Sequence, residues 1–325
     1  MNTRASYLSL SALILASYAL LYRFRALDRN TLFGWDEIFK TGMAEIFLLF
    51  ISCLLLSYVI SKAKFEINEK WDVPVLFLGA FLLGAVFWSA PEIHPDAGRY
   101  FAEAKYVEEY GALSFIRDWG GELNVMSDFP AVPFIYGLIF RFVGESKTYI
   151  QIFVTSLFAA TSVLTYLIGR GLWNRDTGIY AALFLLSFPY LLSYTFTLPL
   201  ILLTFFLTAA VYATLNALNA RRGRIWIALS ALFILLTVLS KASGVLLLSV
   251  IPAIFLASYL RAKDRTVLYR SASIALLSGA LILLFVLYKF DVLVGIFPLL
   301  QAFKLRTLES HEASLSLLFF QISPL

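Results

Sequence analysis

The sequence predicts an all-α, polytopic transmembrane protein of about nine spans, and three observations carry that prediction. The chain is 60% hydrophobic and only 14% charged over 325 residues, whereas soluble domains carry roughly 25% charged residues. Its apolar residues fall in runs close to the roughly 20 residues an α-helix needs to cross a ~30 Å hydrocarbon core. Its Lys and Arg residues cluster in short segments between those runs, the orientation signature of membrane helices. That clustering also argues against reading the formal charge of +5 as a nucleic-acid footprint. Cys53 is the only cysteine and lies within an apolar run, which excludes a disulfide framework and a thiolate metal cluster.

The whole chain reads as one transmembrane domain. The first run, 5–22, exceeds a signal-peptide core and exits through Arg23-Phe24-Arg25 without a small-residue cleavage site, so it reads as a retained span. The second run is 41–61 and the third 72–90. Trp71 and Trp88 bracket the third as interfacial anchors, 17 residues apart, or about 25 Å of helix. Further spans are expected at 149–169, 177–195, 199–218, 225–240, 243–260 and 271–290. Glu45, one turn inside the second span, reads as a snorkelling surface acid. After residue 290 an outward segment leads to a new apolar run that stops at Leu325 after about one-third of a span. The expectation is that the chain continues in a longer polypeptide.

Between the third and fourth spans the pattern changes. Segment 91–148 carries Glu92, Asp96, Glu103, Glu108, Glu109, Asp118, Glu122 and Asp128, too many acids to lie in lipid. Ala97, Tyr100, Phe101, Ala104, Val107 and Gly111 recur at steps of three and four, which predicts an amphipathic helix from Pro95-Asp96 to a Gly111 stop. Residues 131–144 are apolar, too short to span comfortably, and interrupted by Pro133 and Arg141, so an interfacial helix is expected. With a cytoplasmic N-terminus, the basic residues of the short loops face the cytoplasm and segment 91–148 faces outward.

Asp96 therefore stands just beyond a span, in the first turn of a helix outside the membrane. A carboxylate there can serve as general base to an acceptor hydroxyl or amine, or it can simply cap the helix. His94 with Glu92 and Asp96 is a sparse donor set for a metal, and an interfacial hydrogen-bonding histidine is the plainer reading. Trp119 and Trp35 are the only tryptophans placed in loops.

His94-Pro95-Asp96 with Tyr100 resembles the Asp-Glu-x-x-Tyr loop of the GT-C glycosyltransferases. These are polytopic enzymes related to the protein O-mannosyltransferases and the lipid A aminoarabinose transferase. Phe129-Pro130-Ala131-Val132-Pro133 resembles that family's Pro-Pro juxtamembrane helix, and Leu239-Ser240-Lys241-Ala242-Ser243-Gly244 its Thr-Lys-x-x-Gly turn. The resemblance runs from about Val73 to the end. Three positions depart from it: Ala97 stands where most members have Glu, Leu198 where many have an acid, and Gln151 near a frequent Arg.

The resemblance implies an integral protein of the cell membrane with an extracytoplasmic active site. It implies inverting transfer of a sugar from a polyprenyl- or dolichyl-phosphate donor to a lipid, glycan or protein acceptor. Asp96 would be catalytic, with His94, Arg99, Tyr100, Lys241 and Arg306 binding substrate, the cations stabilising the phosphate. No tightly bound cofactor is implied beyond the lipid-phosphate sugar itself, and divalent-metal dependence is open. Two other classes stay in view: a transporter or flippase of lipid-linked sugars, and a non-catalytic GT-C relative. The concentration of ionisable groups in one outward segment, rather than at mid-membrane in paired broken helices, favours the enzyme.

The topology predicts that single cysteines at positions 105 and 304, placed in a Cys53→Ser background, react with an impermeant thiol reagent from outside. Cysteines at 222 and 263 should be protected. Equal labelling of positions 105 and 222 would overturn the assignment.

Overall fold

A computed structural model describes residues 9–20, 42–62, 68–88, 95–119, 129–187, 200–219 and 223–290. Among the described residues the chain is helical and has no β-strand. The helices are α1 (Ser9–Leu20), α2 (Met43–Lys62), α3 (Asp72–Ala85), α4 (Pro95–Tyr110), α5 (Ala112–Asp118), α6 (Ala131–Val143) and α7 (Lys147–Leu172). They continue as α8 (Arg175–Leu186), α9 (Leu200–Asn219), α10 (Gly223–Ser240), α11 (Ser243–Leu247), α12 (Val250–Ala262) and α13 (Arg265–Tyr288), and one 3₁₀ turn (Glu69–Trp71) precedes α3. Among the described residues, five helical stretches are long and apolar enough to cross a membrane: α7, α9, α10, α11 with α12, and α13. Each expected span contains a described helix, and α6 occupies the segment expected to lie in the interface.

Four boundaries differ from the sequence expectation. The third span's helix ends at Ala85, and a turn carries the chain to Trp88. The helix of the fifth span, expected to reach 195, ends at Leu186, where the Ser187 amide donates to the Leu183 carbonyl at 3.1 Å and the Ser187 hydroxyl to the Phe184 carbonyl at 2.6 Å. The eighth span is broken at Leu248–Ser249 into α11 and α12, because Pro252 has no N–H to give the carbonyl of Leu248, four residues back. The ninth begins six residues early, where the Asp264 side chain accepts from the Thr266 amide at 2.9 Å. This N-cap starts a helix whose first turn is too charged to register as apolar.

The main core joins α1, α3, α4, α6, α7, α8 and α9 through Tyr18, Phe87, Tyr100, Tyr136, Phe158 and Phe206, among others. A second cluster joins α9, α10, α12 and α13. Inside that second group, Thr214 and Ser230 share a buried hydrogen bond of 2.7 Å. Helix α2 buries Cys53 and Ser57.

The amphipathic helix forms as its spacing predicts. Tyr100, Ala104 and Val107 are buried, and Gly111, at φ +88°, ends α4 in a conformation that side chains other than glycine's rarely adopt. This face packs on α6, and the two helices meet over Gly137. A Cβ there would stand 2.3 Å from Val107 Cβ and 2.7 Å from the Ala104 carbonyl oxygen. Gly137→Ala should therefore push α4 away from α6 and lower stability by about 1–3 kcal/mol. Gly279→Ala, whose Cβ meets nothing within 4 Å, should be neutral or slightly stabilising. Thermal unfolding of the detergent-solubilised protein checks the pair, and equal midpoints would refute the close-packing account.

Candidate active site

Three contacts establish which helix ends share one end of the bundle. First, the exit of α3 is held to the start of α7. The Trp88 indole donates to Thr155 Oγ1 at 2.9 Å, and the Gln151 amide donates to the Trp88 carbonyl at 3.0 Å. Second, the end of α13 is held to the end of α5. The Lys289 ammonium donates to the carbonyls of Arg117 and Trp119, the latter at 2.8 Å, and the Trp119 ring lies 5.8 Å from that of Phe285. Third, the turn after α10 abuts the start of α9, where a Cβ on Gly244 would lie 3.0 Å from Leu203 Cδ1.

The opposite end has its own polar lock. Asp72, 4% exposed, takes both arms of the Arg175 guanidinium at 2.7 Å and the Tyr166 hydroxyl at 2.7 Å. Arg170 pairs with Glu69 beside it. Nearby, Arg270 donates to the carbonyls of Ala217 and Leu218 at 3.0 Å, satisfying acceptors that the end of α9 leaves open.

The sequence-expected site residues fall as follows. Asp96 is the second residue of α4, in the first turn, where a carboxylate is favoured by the helix dipole. Arg99 and Tyr100 come one turn later; Arg99 is half-buried and Tyr100 is 5% exposed, its ring in the main core. Lys241 is exposed in the turn between α10 and α11, at the same end of the bundle. His94 and Arg306 lie outside the described residues, as do Asp128, Trp35 and Leu198.

Sequence reasoning named Glu103, with Asp128, only as a second candidate base, and it did not foresee the contacts of the residues that follow. Glu103, buried at 7% exposure, follows Arg99 by four residues and Asp96 by seven, so the three occupy one face of α4. The sequence signal for it was that spacing. Trp88 is an internal hydrogen-bond donor as well as a marker of the membrane boundary. Gln151, noted only as a departure from a frequent Arg, is buried and grips the chain just before the Asp96 segment. Lys289 is 5% exposed. Nothing in its apolar sequence neighbourhood announced its two carbonyl partners. Trp119, read as a loop tryptophan, is 4% exposed and belongs to the cluster formed with Val107 and Phe115.

Between α4 and α5 a carboxylate acts as a staple. Asp118 accepts from Arg117 Nε at 2.8 Å and from the Tyr106 hydroxyl at 2.7 Å, and these two donors pull its carboxyl down to about 2. A folded-state value below the ordinary ~3.9 gives stability that is complete above the unfolded value and is lost as pH falls through about 2. Asp118→Asn should therefore unfold at a lower temperature than the parent at pH 7, with the gap closing between about pH 4 and pH 2. Thermal melts across that range check it, and a gap that persists unchanged at pH 2 would show that the charge is not its cause.

Residues 127–289, half of the chain, match the model of the dolichyl-phosphate-mannose-protein mannosyltransferases. No curated protein and no solved structure matches. The matched segment begins just before α6, includes Lys241 and ends on Lys289, while Asp96, Arg99 and Tyr100 precede it. An acid-opened helix bound to a bundle of apolar helices is thus continuous with a recognisable glycosyltransferase core, and the chain belongs to the dolichyl-phosphate-mannose-protein mannosyltransferase family, membrane glycosyltransferases of GT-C type.

Proposed function

We propose that the protein transfers a sugar from a polyprenyl- or dolichyl-phosphate donor to a lipid, glycan or protein acceptor, with inversion, on the extracytoplasmic face of the cell membrane, with Asp96 as general base. One observation carries the reading. The helix that opens at Pro95-Asp96 is packed by its apolar face, through Ala104 and Val107, onto α6 of the segment that matches the family. Asp96 precedes that segment, yet it is built into the same body.

In the proposed step the acceptor oxygen attacks the anomeric carbon from the face opposite the phosphate. A new carbon–oxygen bond forms as the bond to the phosphate oxygen breaks, and that electron pair leaves with the phosphate. The acceptor's proton passes to Asp96. A phosphate leaving group needs its charge stabilised more than it needs a proton, and Arg99, Lys241 and Arg306 are the cations assigned to it. His94 and Tyr100 are assigned to substrate binding with them, and the buried ring of Tyr100 also holds the first turns of α4 in place.

Asp96→Asn keeps the size and most of the capping capacity of the side chain but removes the negative charge. Folding should change little, while transfer from a polyprenyl-phosphate sugar in membranes should fall by roughly 10²-fold or more. Asp96→Glu should keep partial activity, because an added methylene misplaces the base without abolishing it. An Asp96→Asn variant that transfers as fast as the parent at matched expression would reduce Asp96 to a helix cap and make Asp128 or Glu103 the next candidate.

A further inference from the structure

We propose that the seam between α3, α7, α9 and α10 binds one glycerophospholipid, its phosphate held by Arg170, Asn216 and Asn219 and one acyl chain lying in the adjoining groove. This site is at the end of the bundle opposite Asp96, and it does not rest on the sugar-transfer reading. Two cavities make it. The first is a groove of about 570 Å³ with wholly apolar walls, lined by Val73 and Phe77 of α3, Ala160 and Leu164 of α7, Ala209 of α9 and Phe233 of α10. The second is a smaller, half-polar cavity of about 300 Å³ between the ends of α7 and α9, lined by Arg170, Asn216 and Asn219.

Tyr212 lines both cavities and joins them into one slot, apolar along its length and polar at its mouth. Its ring stands edge-on to Trp226 at 5.6 Å, and its carbonyl accepts from the Asn216 amide at 2.9 Å. The slot's length suits a lipid chain. Ala160 to Leu172 is twelve helical steps, about 18 Å, slightly more than half of a ~30 Å hydrocarbon core. Small side chains at Ala160, Ala209 and Ala213 leave the space, and in a bilayer hydrocarbon fills it.

The mouth selects the headgroup. A guanidinium and the NH2 groups of two carboxamides offer N–H donors suited to phosphate oxygens, and they stand where helix ends bring long cationic side chains to the headgroup layer. Arg170 is shared, because it also pairs with Glu69. A lipid phosphate and the Glu69 carboxylate therefore compete for one guanidinium, which gives the site a signature that a purely structural ion pair lacks: removing the acid strengthens binding.

The test uses the full chain, extracted in mild detergent, stripped of lipid and offered phosphatidylglycerol, diacylglycerol with the same chains, or inorganic phosphate. Native mass spectrometry counts bound lipids, and thermal melts confirm folding. The parent should retain one phosphatidylglycerol at least tenfold better than diacylglycerol. Arg170→Gln should cut that retention about tenfold, the effect of losing a charge-assisted hydrogen bond. Glu69→Gln should raise it, and Ala160→Phe, which fills the groove, should lower retention of both lipids. Equal retention of diacylglycerol and phosphatidylglycerol by the parent would overturn the headgroup site. A fall in retention on Glu69→Gln would show the Arg170 pair to be structural. Stabilisation by inorganic phosphate equal to that by phosphatidylglycerol would remove the chain from the groove.

Discussion

The close approach of α4 to α6 over Gly137 is the constraint on which the rest depends. Helix α4 carries Asp96, Glu103, Glu108 and Glu109 and cannot enter lipid, so it must be held against a membrane bundle by one narrow apolar face. That face is made of small or flat contacts, with Ala104 and Val107 fully buried and Tyr100 nearly so. A narrow face holds a helix only if its partner comes near, and a glycine on α6 permits it. Phe101 then lies between Tyr136 and Phe140 with ring centroids 6.2 and 5.4 Å away, extending the contact along α4.

Helix α7 carries the mechanical link between the two ends of the bundle. Near its start Gln151 and Thr155 grip the exit of α3 at Trp88, and near its end Tyr166 binds Asp72 at the entry to α3. Gln151 and Tyr166 are fifteen helical steps apart, about 22 Å, so α3 is pinned to α7 by polar bonds at both ends. Between the pins the contact is apolar, with Leu76 packed against the Tyr166 cluster. In hydrocarbon, apolar surfaces have no preference for each other over lipid, and polar bonds of this kind together with close packing set the register of one helix on another.

Much of this was legible in the sequence, for physical reasons that differ by element. The long apolar runs gave the spans because lipid imposes one length and one composition on whatever crosses it. Period alone revealed α4 and its buried face, since Tyr100, Ala104 and Val107 repeat at helical steps. The early start of α13 was missed because its opening residues, Arg265 to Arg270, are too charged to read as membrane, although Asp264 is an ordinary cap signal. The partners of Lys289, Trp88 and Gln151 were illegible for a different reason. Each bond joins residues at least 63 positions apart, and no local pattern encodes such a meeting. The candidate site was legible to the same degree: Asp96 announced itself as an acid after a span, whereas the supports behind it lie in other helices.

Those supports bear directly on the proposed chemistry. A general base works only when it is held within hydrogen-bond reach of the acceptor's proton, and effective molarities are sensitive enough that a displacement of about 1 Å can cost 10²-fold. Asp96 opens α4, and the placement of α4 rests on the ring of Tyr100 in the main core and on the close approach of Ala104 and Val107 to Gly137. In the proposed enzyme the supports of α4 on other helices therefore matter as much as the acidic motif, which supplies the proton acceptor.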